Sequence, residues 1–136
     1  MILAKRVYDP PAPEDGRRVL IDRLWPRGVS KKAARVDEWR ADLAPSTELR
    51  VWFGHDLDRF AEFRKRYRRE LEGQPTAVDE LVEAARRGTV TLIFGARDVE
   101  RSNAAVLREL VEERVAKSSE RSSGSGHRQS ARRPTR

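Results

Sequence analysis

VLIDRLWPRG, Val19 to Gly28, decides the fold class. A run this apolar predicts a strand from Val19 to Trp25 buried on both faces, as in a mostly parallel sheet. Pro26-Arg27-Gly28 breaks it. A second run, Thr89 to Phe94, is β-branched and aromatic and predicts another strand. The long stretch between them demands a crossover, so these two strands run parallel. Ile2 to Tyr8 predicts a short first strand, closed by Pro10-Pro11-Ala12-Pro13. Its link to the next strand is only about nine residues, short for a helical crossover, which leaves its direction open.

Helices fill the stretch between the second and third strands. Ser30 predicts a cap for a helix through about Leu43, with Val36, Trp39 and Leu43 on one face. Pro45-Ser46 stops and restarts the chain, and a short helix through Phe53 ends at Gly54. Asp56 or Asp58 caps the next, whose stripe is Phe60, Phe63, Tyr67 and Leu71. Thr76 with Asp79 resembles a capping box for a helix ending at Gly88. A last helix starts near Ser102 or Asn103 and carries Leu107, Leu110 and Val111. Trp39, Phe63 and Tyr67 are expected in the core. The order β-β-α-α-α-α-β-α is an α/β domain: a small, mostly parallel sheet flanked by helices, with several helices between strands two and three.

The chain has 136 residues and no cysteine, which excludes disulfides, thiolate catalysis and thiolate metal sites. Residues 1–116 are expected to form a single domain. Residues 117–136 are Ser/Gly/Arg-rich with few apolar side chains, and are expected to be a disordered basic tail. The net charge of +7 divides unevenly. Through Val115 there are 23 basic against 21 acidic side chains; from Ala116 on, 6 against 1. A nucleic-acid footprint across the whole domain is therefore not supported. The apolar start, Met1-Ile2-Leu3-Ala4, is cut short by Lys5-Arg6, too soon for a signal or a membrane span. A cytoplasmic protein without a membrane partner is the expectation.

Ligands of open α/β sheets bind beyond the carboxyl ends of the strands. Asp22 to Gly28 lies there, and so does Gly95-Ala96-Arg97-Asp98, which leads to Ser102-Asn103 at a helix start. Arginines beside a helix N-terminus suit a phosphate or carboxylate, because the guanidinium fork and free backbone N–H groups both donate to its oxygens. Arg23, Arg27, Ser46 and Asn103 are the candidate ligand-binding residues; His55 and Asp98 are the candidates for handling protons. The structural alternative pairs Arg23 with Asp22, makes Asp98 a helix cap and packs Trp25-Pro26 in the core. Ser46, His55 and Asp98 supply the inventory of a hydrolase triad, but no G-x-S-x-G elbow accompanies them. No carboxylate–histidine spacing matches a metal site, so no metal is expected and no cofactor is assigned.

Three stretches, VLIDRLWPRGVSK (Val19 to Lys31), DEWRADLAPSTELRVWFGHD (Asp37 to Asp56) and VTLIFGARDVERSNAAVL (Val90 to Leu107), resemble the YeaO-like branch of the bacterial domain of unknown function 488 family. The resemblance covers nearly all of residues 1–115. It implies a small α/β domain and carries the family pattern onto Asp22, Arg23, Trp25 to Gly28, Trp39, Pro45, Ser46, Arg50, Phe53, His55, Asp98 and Asn103. Arg97 departs from that pattern, and the resemblance implies no particular reaction.

Three functions remain open at this point. The first is an enzyme or sensor for a small anionic ligand, such as a nucleotide or phosphorylated metabolite, with Arg23 and Arg27 holding the anion and Asn103 orienting it. The second is a nucleic-acid-associated module that uses the basic tail for weak, non-specific phosphate contact. The third is a non-catalytic interaction domain whose motif residues are structural.

Overall fold

The computed structural model describes residues 1–125. Four strands form one parallel sheet in the order β1-β4-β2-β3: β1 is Ile2–Arg6, β2 Arg17–Leu20, β3 Glu38–Trp39 and β4 Val90–Phe94. Ile2 pairs with Val90 through Arg6 with Phe94, so the first strand, whose direction the sequence left open, is parallel to β4. β2 flanks β4 on the other side, from Arg17 opposite Val90 to Leu20 opposite Ile93. The short link from β1 to β2 passes over β4 through a 3-10 turn at Pro13–Asp15. Gly16 closes it at φ +61, where a Cβ would stand 2.3 Å from the Thr89 carbonyl oxygen. Only glycine tolerates both that φ and that approach.

The helices are α1 (Lys31–Ala34), α2 (Thr47–Phe53), α3 (Phe60–Glu72), α4 (Pro75–Arg87) and α5 (Asn103–Ser125). One face of the sheet carries the main core, where Val19, Ile21, Leu92 and Phe94 meet Phe63, Tyr67, Leu81 and Leu107. The opposite face carries a small cluster of Val7, Leu20, Ala34 and Ile93, roofed by Trp25, Val29 and Val36. Leu20, Ile21, Ile93 and Phe94 have no exposed surface, as a strand pair covered on both faces requires. Phe63 and Tyr67 are buried as expected from their helical stripe.

Four expectations are corrected. β2 ends at Leu20, not Trp25, because the paired strand β4 itself ends at Phe94 and the chains then part. The helix expected from Ser30 to Leu43 is a single turn: Ser30 does cap it, its hydroxyl accepting the Ala33 N–H at 3.0 Å, but Arg35 takes φ 48 and stops it. The chain then pairs with β2 instead, Asp37 N–H with the Arg18 carbonyl and Arg40 N–H with that of Leu20. Sheet pairing overrides the helical spacing of Val36, Trp39 and Leu43. Trp39 accordingly lies on the edge strand, 45% exposed, rather than in the core. Finally, α4 begins with Pro75 at its first turn and has no side-chain cap, so Thr76 and Asp79 form no capping box. Of the expected tail at 117–136, the residues up to Ser125 continue α5, and 126–136 lie outside the described residues.

Candidate functional site

Parallel strands put the carboxyl ends of β2 and β4 at the same edge, and three segments meet there. The Ile21 N–H still bonds to the Ile93 carbonyl at 3.0 Å. One residue on, the backbones diverge and a side chain takes over: Asp22 Oδ2 accepts the Gly95 N–H at 2.9 Å. A Cβ on Gly95 would come 3.1 Å from that oxygen, so the missing side chain gives Asp22 its room. Asn103, the first residue of α5, donates from Nδ2 to the Ile21 carbonyl at 3.1 Å and to Asp22 Oδ1 at 3.2 Å. Ser102 caps α5: its hydroxyl accepts the Ala105 N–H at 3.2 Å and donates to the Val99 carbonyl.

Above this junction opens a pocket of about 370 Å³. Its apolar wall includes Trp25, Pro26, Phe53 and Phe63; its charged and polar lining includes Arg23, Arg27, Arg50, His55 and Asn103, with Asp22 as its one carboxylate. Phe53 stacks on Phe63 at 4.3 Å, which fixes that wall to the main core. Trp25 is held by an Nε1–H donated to the Val29 carbonyl, and Trp39 packs against it edge-on at 5.6 Å. Trp39 in turn donates its Nε1–H to the Asp22 carbonyl at 2.7 Å.

The cations of the pocket differ from those of the helical faces. Arg64 and Arg68 reach Glu109, Arg66 reaches Glu62, and Arg40 reaches Asp42 and Glu80. Among the described residues, Arg23, Arg27 and Arg50 have no carboxylate at ion-pair distance. Arg23 donates to the Pro45 carbonyl at 3.1 Å and the Ala44 carbonyl at 3.5 Å, not to Asp22. Carbonyls orient the guanidinium without cancelling its charge. Burial raises the Asp22 pKa above the ordinary 3.8, against the lowering effects of Asn103, the Gly95 N–H, and the charges of Arg50 and His55.

Backbone geometry sets the position of His55. α2 ends at Gly54 with φ 53, and His55 follows at φ 61, so two successive residues take the left-handed conformation. Histidine accepts that conformation more readily than most residues, yet at a cost. The turn brings the imidazole to the pocket rim, 6.5 Å from the Phe53 ring.

Arg23, Arg27, His55 and Asn103 thus share one pocket, whereas Ser46 and Asp98 lie outside it. The Ser46 hydroxyl caps α2 by accepting the Leu49 N–H at 3.1 Å and donates to Glu70 Oε2 at 2.7 Å. It lines a separate cleft beside Trp52, so Ser46 and His55 do not face a common space. Asp98 accepts the Glu100 and Arg101 N–H groups and lines the cleft next door. Sequence reasoning passed over Arg50 as a ligand contact; its signal was its place one helical turn before Phe53 and five residues before His55. Among the described residues no three His, Asp or Glu side chains converge as a metal site, and no helix is long and apolar enough to cross a membrane.

Comparison with known proteins agrees with these motifs. The uncharacterized protein Rv3073c of Mycobacterium tuberculosis is 47% identical over 106 residues, covering 78% of this chain and 89% of that one. The uncharacterized protein YeaO of Escherichia coli is 41% identical over 106 residues, covering 78% and 92%. No solved structure matches. A family model described as the inactive DUF488-N3 subclade matches residues 1–128, and the chain belongs to that family.

Proposed function

We propose that this protein binds a small anionic molecule, such as a nucleotide or a phosphorylated metabolite, in the pocket at the carboxyl edge of the sheet, without turning it over. The observation that carries the reading is that Arg23, Arg27 and Arg50, none at ion-pair distance from a carboxylate among the described residues, line one pocket, whereas Arg64, Arg66 and Arg68 on the helical faces are ion-paired. Arg23 and Arg50 would face the anion from the side of α2, and Arg27 from the loop after β2. The start of α5, beside the pocket, favours negative charge through the helix dipole. A pocket of this volume lies in the range of small-molecule sites, and its apolar wall suits the uncharged part of such a ligand.

Binding without turnover rests on two supports. The family description is that of an inactive subclade. In addition, of the serine, histidine and aspartate that could make a triad, Ser46 lines a different cleft from the one that His55 and Asp98 share, so the nucleophile is missing from their space. The reading is tested by a thermal-shift screen of the full chain against nucleotides and phosphorylated metabolites. A ligand that binds the folded state raises Tm by mass action. The expected result is a Tm rise that saturates with at least one such compound and disappears in Arg23→Met. A screen in which no phosphorylated or carboxylated compound moves Tm overturns it.

A further inference from the structure

We infer that the site is bipartite and takes a small molecule with two separated anionic groups. The inference rests on the pocket reading above and extends it. Next to the first pocket lies a second cleft of about 490 Å³. The two share Phe53, His55, Gly95 and Ala96 in their walls, so they are neighbouring halves of one groove. The far half adds Arg97 and Arg101. Both are exposed, and among the described residues neither has a carboxylate at ion-pair distance. The groove therefore has cations at both ends and an aromatic and backbone saddle between them.

Asp98 is the negative charge in the far half. Its Oδ1 already accepts the Glu100 and Arg101 N–H groups, at 3.0 and 2.9 Å, and this turn holds Arg101 in place at the cleft. A carboxylate satisfied by backbone donors opposes an incoming anion less than a free one. His55 stands at the junction in a conformation that costs energy. The imidazole thus lies on the wall that the two cationic halves share. One phosphate or carboxylate would sit by Arg23 and Arg50, and the second by Arg97 and Arg101, with a short linker across Gly95 and Ala96.

Two linked groups bind more tightly than one, because the second contact is made at high effective concentration when the linker spans the sites. A ladder of α,ω-alkanediol bisphosphates, each compared with the alkyl monophosphate of the same length, measures this directly by calorimetry on the full chain. One linker length should bind at least about tenfold tighter than its monophosphate. The Arg97→Ala/Arg101→Ala double variant should lose that advantage and keep the monophosphate affinity. An Arg35→Ala/Arg69→Ala variant removes the same charge elsewhere on the surface, and it should keep the advantage. Equal affinity of bisphosphate and monophosphate at every length overturns the bipartite site and leaves the first pocket standing. So does an advantage that survives Arg97→Ala/Arg101→Ala or falls equally in Arg35→Ala/Arg69→Ala. If neither compound binds at any length, the pocket reading falls and the bipartite site falls with it.

Discussion

Asp22 joins three segments that separate beyond the sheet, and its two oxygens are committed to Gly95 and Asn103. Asp22→Ala would leave a backbone N–H and an amide N–H without an acceptor. It is expected to cost about 1–3 kcal/mol, the penalty for a buried donor left unmade, read by urea denaturation. Asp15 is the contrasting carboxylate. It is buried between Arg18 and Lys5, with Oδ1 3.1 Å from the Lys5 ammonium. Burial alone would raise its pKa, but the Ala12 N–H, Lys5 and Arg18 together bring it below 3.8. The two groups therefore act on stability with opposite sign. The Asp15 contribution is present above its unfolded value and is lost as the pH falls through the lower folded value. The Asp22 contribution is greatest in acid and declines as the pH rises from 3.8 through its higher folded value. Denaturation across the acid range should show the advantage of wild type over Asp15→Asn growing as pH rises. Over Asp22→Asn it should shrink. Parallel profiles for the two variants would contradict these assignments. At this scale the sequence marked Asp22 and Asn103 as motif residues, but not their bond to each other. That bond depends on how far β2 and β4 run before parting, which tertiary pairing determines.

Most elements were legible where burial is strong. β4 and the stripe of α3 read directly from apolar spacing, because a fully covered strand and an amphipathic helix leave distinct periods. The segment from Ser30 to Leu43 misled because its apolar residues fall at helical intervals while its backbone pairs with β2. The difference between the aromatic residues of these elements is measurable. Phe63→Ala should cost about 3–5 kcal/mol as a buried aromatic, whereas Trp39→Ala, on an exposed edge, should cost less than about 2. A Trp39→Ala cost equal to that of Phe63→Ala would return Trp39 to the core. Ser46 belongs to its helix as well. Ser46→Ala removes the cap of α2 and the bond to Glu70, and should cost about 0.5–2 kcal/mol with anion affinity unchanged. A loss of affinity at intact stability would bring Ser46 back into the ligand site.

Across the whole molecule, the parallel order β1-β4-β2-β3 does what no single residue does. It delivers the loop after β2, the loop after β4 and the start of α5 to one edge. The site was partly legible for that reason, since the rule placing ligands beyond carboxyl ends needs only strand direction. The exclusion of Ser46 was not legible, because it depends on how α2 lies against α3, with Ser46 turned to Glu70. The central claim is that an anion is held at this edge by Arg23, Arg27 and Arg50. Backbone amide shift mapping by NMR, with adenosine 5'-monophosphate as the probe, tests it most directly. The account predicts saturable shifts concentrated at Arg23, Arg27, Arg50, His55, Gly95 and Asn103. Shifts confined to the basic residues beyond Ala116, or spread over the outer faces of α3 and α4, would contradict it.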